Sequence, residues 1–200
     1  MKKIFRLFFK EWYLYLISGF ALIFIIDYAY TLINRPINEE TITLFVASES
    51  NNSKKLREAL EKEKPSYLRE LNIISVKSQT TSYDDRFKVY GTDNSDIVVL
   101  PKSKINDLTV MRYYASFSSE YISNHITNPS FYQVSEDNRL YGILVHQKGE
   151  ENYLIDYKSE EYDDDYYAFF IKNSVHIGEL NYSSYLTAFN FVNIIANEEQ

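Results

Sequence analysis

The acidic run at residues 160–165, EEYDDD, is the densest cluster of ionisable side chains in the chain. Hard cations such as Ca²⁺ bind several carboxylate and carbonyl oxygens at once, which makes such a run a candidate metal site. This run lacks the alternating aspartates and the turn glycine of an EF-hand loop. The pattern therefore favours a solvated turn between two strands, and the sequence predicts neither a metal nor a cofactor.

His125, His146 and His176 are the three histidines and the candidates for acid–base catalysis. They are not spaced as ligands on a metal-binding helix. The sequence contains no H-E-x-x-H, no G-x-S-x-G and no glycine-rich phosphate loop. A hydrolase whose Ser-His-acid group assembles only in space is the third functional alternative, and the sequence predicts no enzyme.

The composition limits the possible partners. The chain has 200 residues, a net charge of -7 and no cysteine. An acidic surface repels the phosphates of nucleic acids, so no nucleic-acid partner is expected. Without cysteine the chain has neither a disulfide nor a zinc–thiolate site, and an exported domain of this kind is typical of bacteria.

Residues 12–30, WYLYLISGFALIFIIDYAY, predict a transmembrane helix. A helix of this length rises about 28 Å, close to the thickness of the hydrocarbon core of a bilayer. Aromatic residues stand at both ends, where their amphipathic rings suit the membrane–water interfaces. The lipid bilayer is therefore the first predicted partner.

The flanking charges predict the direction of this helix. Residues 1–11 contain four basic residues, whereas Asp27, Glu39 and Glu40 lie at or beyond the other end. The positive-inside rule then places residues 1–11 in the cytoplasm as a basic tail, and the linker 31–40 and the domain 41–200 outside the cell. A cleaved signal peptide is the alternative, but large residues flank Ala29 and no A-x-A pattern follows. We expect a single-pass protein of the cell membrane.

Beyond the linker, strand-like and helix-like segments alternate. The first hundred residues of this region read β-α-β-α-β, which predicts an α/β fold with a mainly parallel central sheet flanked by helices. Later strands are expected to be antiparallel additions or an edge. The predicted strands are 41–47, 72–78, 96–100, 134–135, 140–146, 153–157 and 166–172, and the predicted helices are 53–64, 82–90, 105–123 and 182–197.

Three segments resemble bacterial extracellular solute-binding proteins. The order TITLFVAS, helix, NIISV, helix ending at Gly91, and SDIVVLP is similar to the opening lobe of that family. The segment QVSEDNRLYGILVH resembles its short turn followed by a YG-apolar pattern, and YYAFFIKNS with the final helix resembles its return strand and helix. The family has two lobes, whereas this chain has room for one, and a transmembrane helix stands in place of the family's lipid-anchor cysteine.

The resemblance implies a membrane-anchored, extracytoplasmic binding or interaction domain, similar to one lobe of a solute-binding protein and working beside an ABC-type transporter or a surface sensor. By analogy with the family, a small polar ligand would lie at Ser48, Glu49 and Ser50, near Pro101. The alternative is that the two serines only turn the chain and cap the helix. The runner-up function is a structural or assembly subunit of a membrane complex without a small ligand, and in both cases a membrane protein is the expected partner.

Overall fold

The chain divides into two units, residues 1–37 and 38–200. The computed structural model describes residues 12–34, 36–50, 53–127, 129–150, 153–159 and 162–197, so the predicted basic tail lies outside the described residues. Among its described residues the first unit forms one helix, α1 (Trp12–Asn34). Its segment Trp12–Tyr30 is exposed and is long and apolar enough to cross a membrane, a criterion that an N-terminal signal sequence also meets.

Ser18 places a hydroxyl group within the apolar helix α1. Ser18 Oγ donates a hydrogen bond of 2.7 Å to the carbonyl oxygen of Leu14, one turn earlier. Because this hydroxyl already donates a hydrogen bond within its own helix, it would not be an unpaired donor in an apolar environment. The helix is therefore compatible with a hydrocarbon environment at this position.

The second unit is built around a six-stranded mixed sheet. Its strand order is β2-β1-β3-β6-β5-β4. β1 pairs in parallel with β2 and β3, whereas β6 runs antiparallel to β3 and β5, and β4 antiparallel to β5. The strands are β1 (Thr41–Ser48), β2 (Glu70–Lys77), β3 (Ile97–Pro101), β4 (Phe131–Gln133), β5 (Leu140–His146) and β6 (Tyr166–Phe170).

The expectation of a mainly parallel sheet is wrong, because the antiparallel half of the sheet is as large as the parallel half. The parallel strands β1, β2 and β3 are joined by helical crossovers, which parallel pairing requires. The described residues between β4, β5 and β6 contain no helix that could serve as a crossover, so these strands pair antiparallel. The α/β class and the flanking helices were predicted correctly.

Helices cover both faces of the sheet. One face packs against α2 (Lys54–Lys62), α5 (Ser119–Ser123) and α6 (Thr187–Ala196), and the other against α3 (Tyr83–Tyr90) and α4 (Asp107–Tyr113). The crossover from β1 through α2 to β2 therefore lies on one face, and the return through α3 to β3 lies on the other. β2 therefore pairs with one side of β1 and β3 with the other, so the strand order reverses between β1 and β3.

The predicted helix at residues 105–123 is two short helices. α4 ends because Tyr114 adopts an extended backbone, and α5 begins only at Ser119. Between them the Ala115 amide donates to the Phe170 carbonyl oxygen at 2.8 Å, and the Phe117 amide to that of Leu140 at 3.0 Å. These bonds attach the segment to the sheet and replace the bonds that a continuous helix would make.

The short strand expected at residues 134–135 is found instead at Phe131–Gln133. Two further predicted elements differ from the structure. Residues 153–157 were expected to form a strand but have no regular secondary structure. The closing helix was expected from residue 182 and begins at Thr187. Tyr182 instead has a left-handed backbone with a φ of 52° and ends a short 3-10 turn. Neither deviation changes the sheet.

Candidate functional site

The strands β1, β2 and β3 end at one edge of the sheet, which we call the carboxyl edge. It comprises residues 48–50, 75–78 and 101–104 together with 146–149, 156–157 and 162–166 of the adjoining loops and strands. Tyr166, where β6 begins, lies opposite Pro101, and His146, where β5 ends, lies opposite Tyr166. Open α/β sheets bind ligands outside the strand ends at the point where the strand order reverses.

Ser48, the last residue of β1, has its hydroxyl bound inside the protein. Ser48 Oγ donates to the Ser50 carbonyl oxygen and lies 2.9 Å from Ser75 Oγ, which bonds to the same carbonyl. The Ser48 residue is 1% exposed. Its hydroxyl is therefore bonded within the turn that follows β1, as expected if Ser48 only turns the chain.

The other predicted site residues differ in exposure. Glu49 is half-buried, and its Oε1 accepts a hydrogen bond of 2.6 Å from Ser78 Oγ. Ser50 is also half-buried, whereas Pro101 is buried within β3. The structure thus brings the four predicted residues to one edge and leaves surface for a ligand or partner on Glu49 and Ser50. Ser53 stands at the N-cap of α2 without a side-chain capping bond, and residues 51 and 52 lie outside the described residues.

The described part of the acidic run fastens two loops to the carboxyl edge. Three consecutive carboxylates each accept a hydrogen bond from a backbone amide, of the loop after β3 or of the loop after β5. The pairs are Asp163 with Gly149 at 2.9 Å, Asp164 with Ser103 at 2.8 Å and Asp165 with Lys148 at 3.0 Å. The described residues contain no group of three or more acidic or histidine side chains placed to hold a metal ion, and residues 160 and 161 lie outside them.

Tyr162 and Asp164 form the centre of this acidic segment. The Tyr162 hydroxyl lies 2.6 Å from Ser103 Oγ and donates to Asp164 Oδ2 at 3.1 Å. Burial and the negative charge of Asp164 raise the pKa of Tyr162 to about 12, although the bond to Ser103 opposes this. Burial alone would raise the pKa of Asp164, but its bonds from Ser103, Tyr162 and the Asp165 amide hold that pKa below its ordinary value. Asp164 is therefore ionised at neutral pH.

Several buried polar atoms of the carboxyl edge have no hydrogen-bond partner among the described residues. They are His146 Nε2, Asp163 Oδ1 and the hydroxyl of Tyr166. His146 Nε2 and Asp163 Oδ1 face one another at 3.6 Å, which is longer than a hydrogen bond. Buried polar groups in folded proteins are almost always paired with protein, water or ligand. These atoms lie beneath the surface of the carboxyl edge, where solvent does not reach them.

His146 is neutral at neutral pH. Burial lowers the pKa of its imidazole, and the nearby carboxylates of Asp163, Glu150 and Asp165 oppose that effect only in part. The ring stacks on Tyr157 with 4.6 Å between centroids, and Tyr157 in turn packs against Tyr166 at 4.5 Å. A neutral imidazole held by aromatic rings can donate or accept one hydrogen bond at Nε2, depending on its tautomer.

The other two histidines do not form a nucleophilic site with their described neighbours. His176 is fully buried, and its Nε2 lies 2.9 Å from the Thr41 carbonyl oxygen. The nearby Ser174 hydroxyl donates to Asp96 at 2.6 Å and accepts from the backbone amide of His176, not from its ring. His125 Nδ1 lies 2.8 Å from the Tyr121 carbonyl oxygen. Serine, histidine and aspartate meet in space here, but the hydrogen bonds run in the wrong order for a triad.

Comparison with models of known protein families, with curated protein sequences and with solved structures finds no match. The likeness to solute-binding proteins therefore depends on the sequence segments described above, and a function that follows from it is a proposal.

Sequence reasoning identified the carboxyl edge but missed most of the residues that shape it. His146 was considered only for catalysis, and the role of Asp163 depends on its position across the sheet. The usable signal was their place in the chain, because His146 ends a predicted strand and the acidic run immediately precedes another. The antiparallel register of β5 and β6 brings His146 and Asp163 together, and the sequence alone does not reveal that register.

Proposed function

We propose that the chain is a membrane-anchored, non-enzymatic binding domain that works outside the cytoplasm and docks on a neighbouring membrane protein through its carboxyl edge. An ABC-type transporter subunit or a sensor is the partner class that the sequence resemblance suggests. The observation that carries the proposal is the group of half-buried carboxylates, Glu49 and the three aspartates of the acidic run, that this edge presents where the strand order reverses.

A protein partner suits this edge better than a free solute. The second unit has one sheet, so a small molecule at the carboxyl edge has a wall on one side only. A binding site that buries less of a ligand leaves less energy to offset the entropy of association. A docked protein would provide the second wall.

The charge of the edge indicates the chemistry of the partner surface. Glu49 and the three aspartates of the acidic segment are half-buried, and Asp156 is exposed beside them. Lys102 lies 3.6 Å from Asp165 and offsets one of these charges. A basic partner surface complements the remaining carboxylates, and such complementarity increases the association rate and makes it sensitive to salt.

Site-specific photocrosslinking in intact cells tests the docking site. A photoreactive amino acid at the exposed Lys102 should give one discrete crosslinked product in cells that produce the full-length chain. The same amino acid at Asn173, which is exposed at the opposite edge of the sheet, is the matched control and should give no such product. Equal products from both positions, or none from Lys102, would contradict the proposal.

Charge reversal tests the acidic character of the site. Asp156→Lys should weaken the Lys102 crosslink, because it replaces a negative charge beside Glu49 with a positive one. The Asp156 side chain is exposed, so its replacement should leave the fold intact. Asp93→Lys makes the same change at the opposite edge and should have no effect. If both variants crosslink as the wild type does, charge complementarity does not guide docking.

A solute screen separates the proposal from a direct solute receptor. We expect purified full-length protein in detergent to show no saturable change in melting temperature with common sugars and peptides. A ligand at about a hundred times its dissociation constant adds about 2.7 kcal/mol to stability, so binding would be visible. A saturating shift with a micromolar midpoint would make the chain a solute receptor. A crosslinked partner that is a structural subunit, not a transporter or sensor, would instead favour the assembly role.

A further inference from the structure

A cavity of about 280 Å³ opens at the edge of the sheet opposite the carboxyl edge. Its wall is formed by the start of β1, the loop before β3 and the loop after β6, with Thr43, Asp96 and Ser174 among its lining residues. Water occupies about 30 Å³ per molecule in the liquid, so the cavity has room for about nine water molecules or for a small organic ligand. We call this site the amino-edge cavity. It shares none of its lining residues with the proposed docking site.

Asp96 is the principal charged group in this wall. Its Oδ2 accepts from the Thr43 amide at 2.7 Å, and its Oδ1 accepts from Ser174 Oγ at 2.6 Å. A carboxylate has about four acceptor sites, so two bonds leave it able to accept more. The two bonds also fix the orientation of the group, which is a condition for selective binding.

No basic side chain among the described residues lines the amino-edge cavity. Among the described lining residues there is no lysine, arginine or histidine, and the second carboxylate, Asp93, is exposed. Lys172, which lies between the lining residues Ile171 and Asn173 in the chain, has its Nζ bound to the carbonyl oxygens of Met111 and Arg112. Burial raises the pKa of Asp96, although its bonds from Ser174 and Thr43 and the proximity of His176 oppose this. An incoming cation would compensate the buried negative charge.

The other polar groups in the wall suit a cation that also has hydroxyl or amine hydrogens. Ser95 lies beside Asp96, is 6% exposed, and its hydroxyl has no hydrogen-bond partner among the described residues. Thr41, Thr43 and Asn173 contribute further polar groups. The described residues hold no cluster of three metal-binding side chains, which disfavours a divalent metal site here.

From this geometry we infer that the amino-edge cavity binds a small organic ammonium ion, with the Asp96 carboxylate as its counter-ion. An ammonium group donates up to three hydrogen bonds, and the oxygens in the wall accept them. The inference goes beyond the proposed docking function, because the two sites lie at opposite edges of the sheet.

Calorimetric titration of full-length protein in detergent tests this site, with ethanolamine as the probe. At neutral pH ethanolamine is an ammonium ion with a hydroxyl group. We expect saturable binding of ethanolamine and none of ethylene glycol, which has the same heavy-atom skeleton with a second hydroxyl in place of the ammonium. Sodium chloride at the same ionic strength is the control for screening and should not reproduce the effect.

Substitution of the counter-ion gives the decisive comparison. Asp96→Asn should weaken ethanolamine binding by about ten- to a hundredfold, the factor that corresponds to a lost hydrogen bond to a charged group. Asp93→Asn removes an exposed carboxylate from the same cavity and should change binding by less than about fivefold. Variants with a changed surface at the carboxyl edge, such as Asp156→Lys, should bind ethanolamine as the wild type does.

A second variant keeps the test decisive where Asp96→Asn does not fold. Asn173→Lys introduces an ammonium group from an exposed position at the cavity wall, so it competes with the probe without disturbing the core. We expect it to abolish ethanolamine binding while the circular dichroism spectrum is unchanged. Equal binding of ethylene glycol, no saturable binding by the wild type, or undiminished binding by folded Asp96→Asn or Asn173→Lys protein would each overturn the inference.

Discussion

His146 Nε2 and Asp163 Oδ1 face each other across 3.6 Å, and both atoms are buried. Because burial keeps the imidazole neutral, their contact is not a full ion pair at neutral pH. Protonation of His146 would place a charge where solvent does not reach it, next to a carboxylate that compensates only part of the cost. Protonation of His146 at low pH therefore costs free energy in the folded protein that it does not cost in the unfolded chain.

His146 should make the protein less stable in mild acid. Its folded-state pKa is lowered, so the unfolded chain takes up the proton first as the pH falls below about 6.5, and stability falls until the folded imidazole is protonated too. His146→Gln removes this contribution to the pH dependence of the free energy of unfolding. Relative to the variant, the wild type should lose free energy of unfolding between about pH 7 and pH 5, as measured by urea denaturation at a series of pH values.

His125→Gln is the matched control for this experiment. His125 is half-buried outside the carboxyl edge, so its replacement should leave the acid-dependent loss in place. Parallel stability curves for the wild type and His146→Gln would show that His146 does not contribute.

The sequence indicates residues of the carboxyl edge only where they lie next to each other in the chain. Ser48, Glu49 and Ser50 follow a recognisable strand and were predicted to lie there. The contacts of Ser103 with Tyr162 and of His146 with Asp163 join residues far apart in the chain. Such pairs depend on strand register, which the local pattern of apolar and polar residues does not specify between different strands.

At the scale of elements, β3 holds the two halves of the sheet together. It pairs in parallel with β1 on one side and antiparallel with β6 on the other. All five of its residues are buried, as its uninterrupted apolar sequence predicts for a strand covered on both faces. Val98 lies opposite Phe45 of β1 in the parallel pair.

Val98→Asp should prevent folding of the second unit. The side chain is 0% exposed, and a carboxylate there would be buried without a partner. Val89→Asp introduces the same charge on α3, where the side chain is 49% exposed, and should change stability by no more than about 0.5 kcal/mol. Far-ultraviolet circular dichroism and thermal melting of both variants check this. A folded Val98→Asp protein with an unchanged melting temperature would contradict the central position of β3.

The elements that sequence reasoning predicted well are those with a strong local pattern. The strands β1, β2 and β3 and the helices between them alternate clearly, and each was predicted close to its observed bounds. The segment 114–118 was misassigned because its apolar spacing is compatible with a helix, whereas hydrogen bonds to Phe170 and Leu140 draw it onto the sheet. Those bonds are tertiary, so the segment itself contains no signal for them.

At the scale of the whole molecule, α1 is a helix that is long and apolar enough to cross a membrane, a criterion that a signal sequence also meets. Its apolar side chains are exposed along the helix, and an apolar surface of this length is stable only in contact with lipid or another apolar surface. The positive-inside rule predicts that residues beyond it face outward. That orientation is a proposal, as is the retention of the helix, and each has a direct test.

Protease treatment of intact cells, with the wall removed, tests the orientation. Residues 41–200 should be digested, because the basic N-terminal tail directs the domain out of the cytoplasm. An affinity tag placed before Met1 should stay intact, as should a cytoplasmic marker protein. Protection of the whole domain would reverse the predicted topology.

Intact-mass measurement tests whether the helix is kept. We expect the mature chain to begin at or near Met1, because large residues flank Ala29 and no small-residue cleavage pattern follows the apolar run. Protein extracted from membranes should therefore have the mass of the full sequence. A mature start near residue 30 would identify the segment as a cleaved signal peptide.

The position of β6 has a consequence for how the protein is made. Residues 166–170 lie in the middle of the sheet although they follow the other five strands in the chain. Until they arrive, β2-β1-β3 and β5-β4 are separate ribbons, each with an open edge, and open apolar edges recruit other chains. A chain that stops before residue 166 has therefore no route to a closed sheet. The insertion of β6 joins the two ribbons, and chains that lack it present the exposed edges by which quality-control proteases and chaperones recognise them.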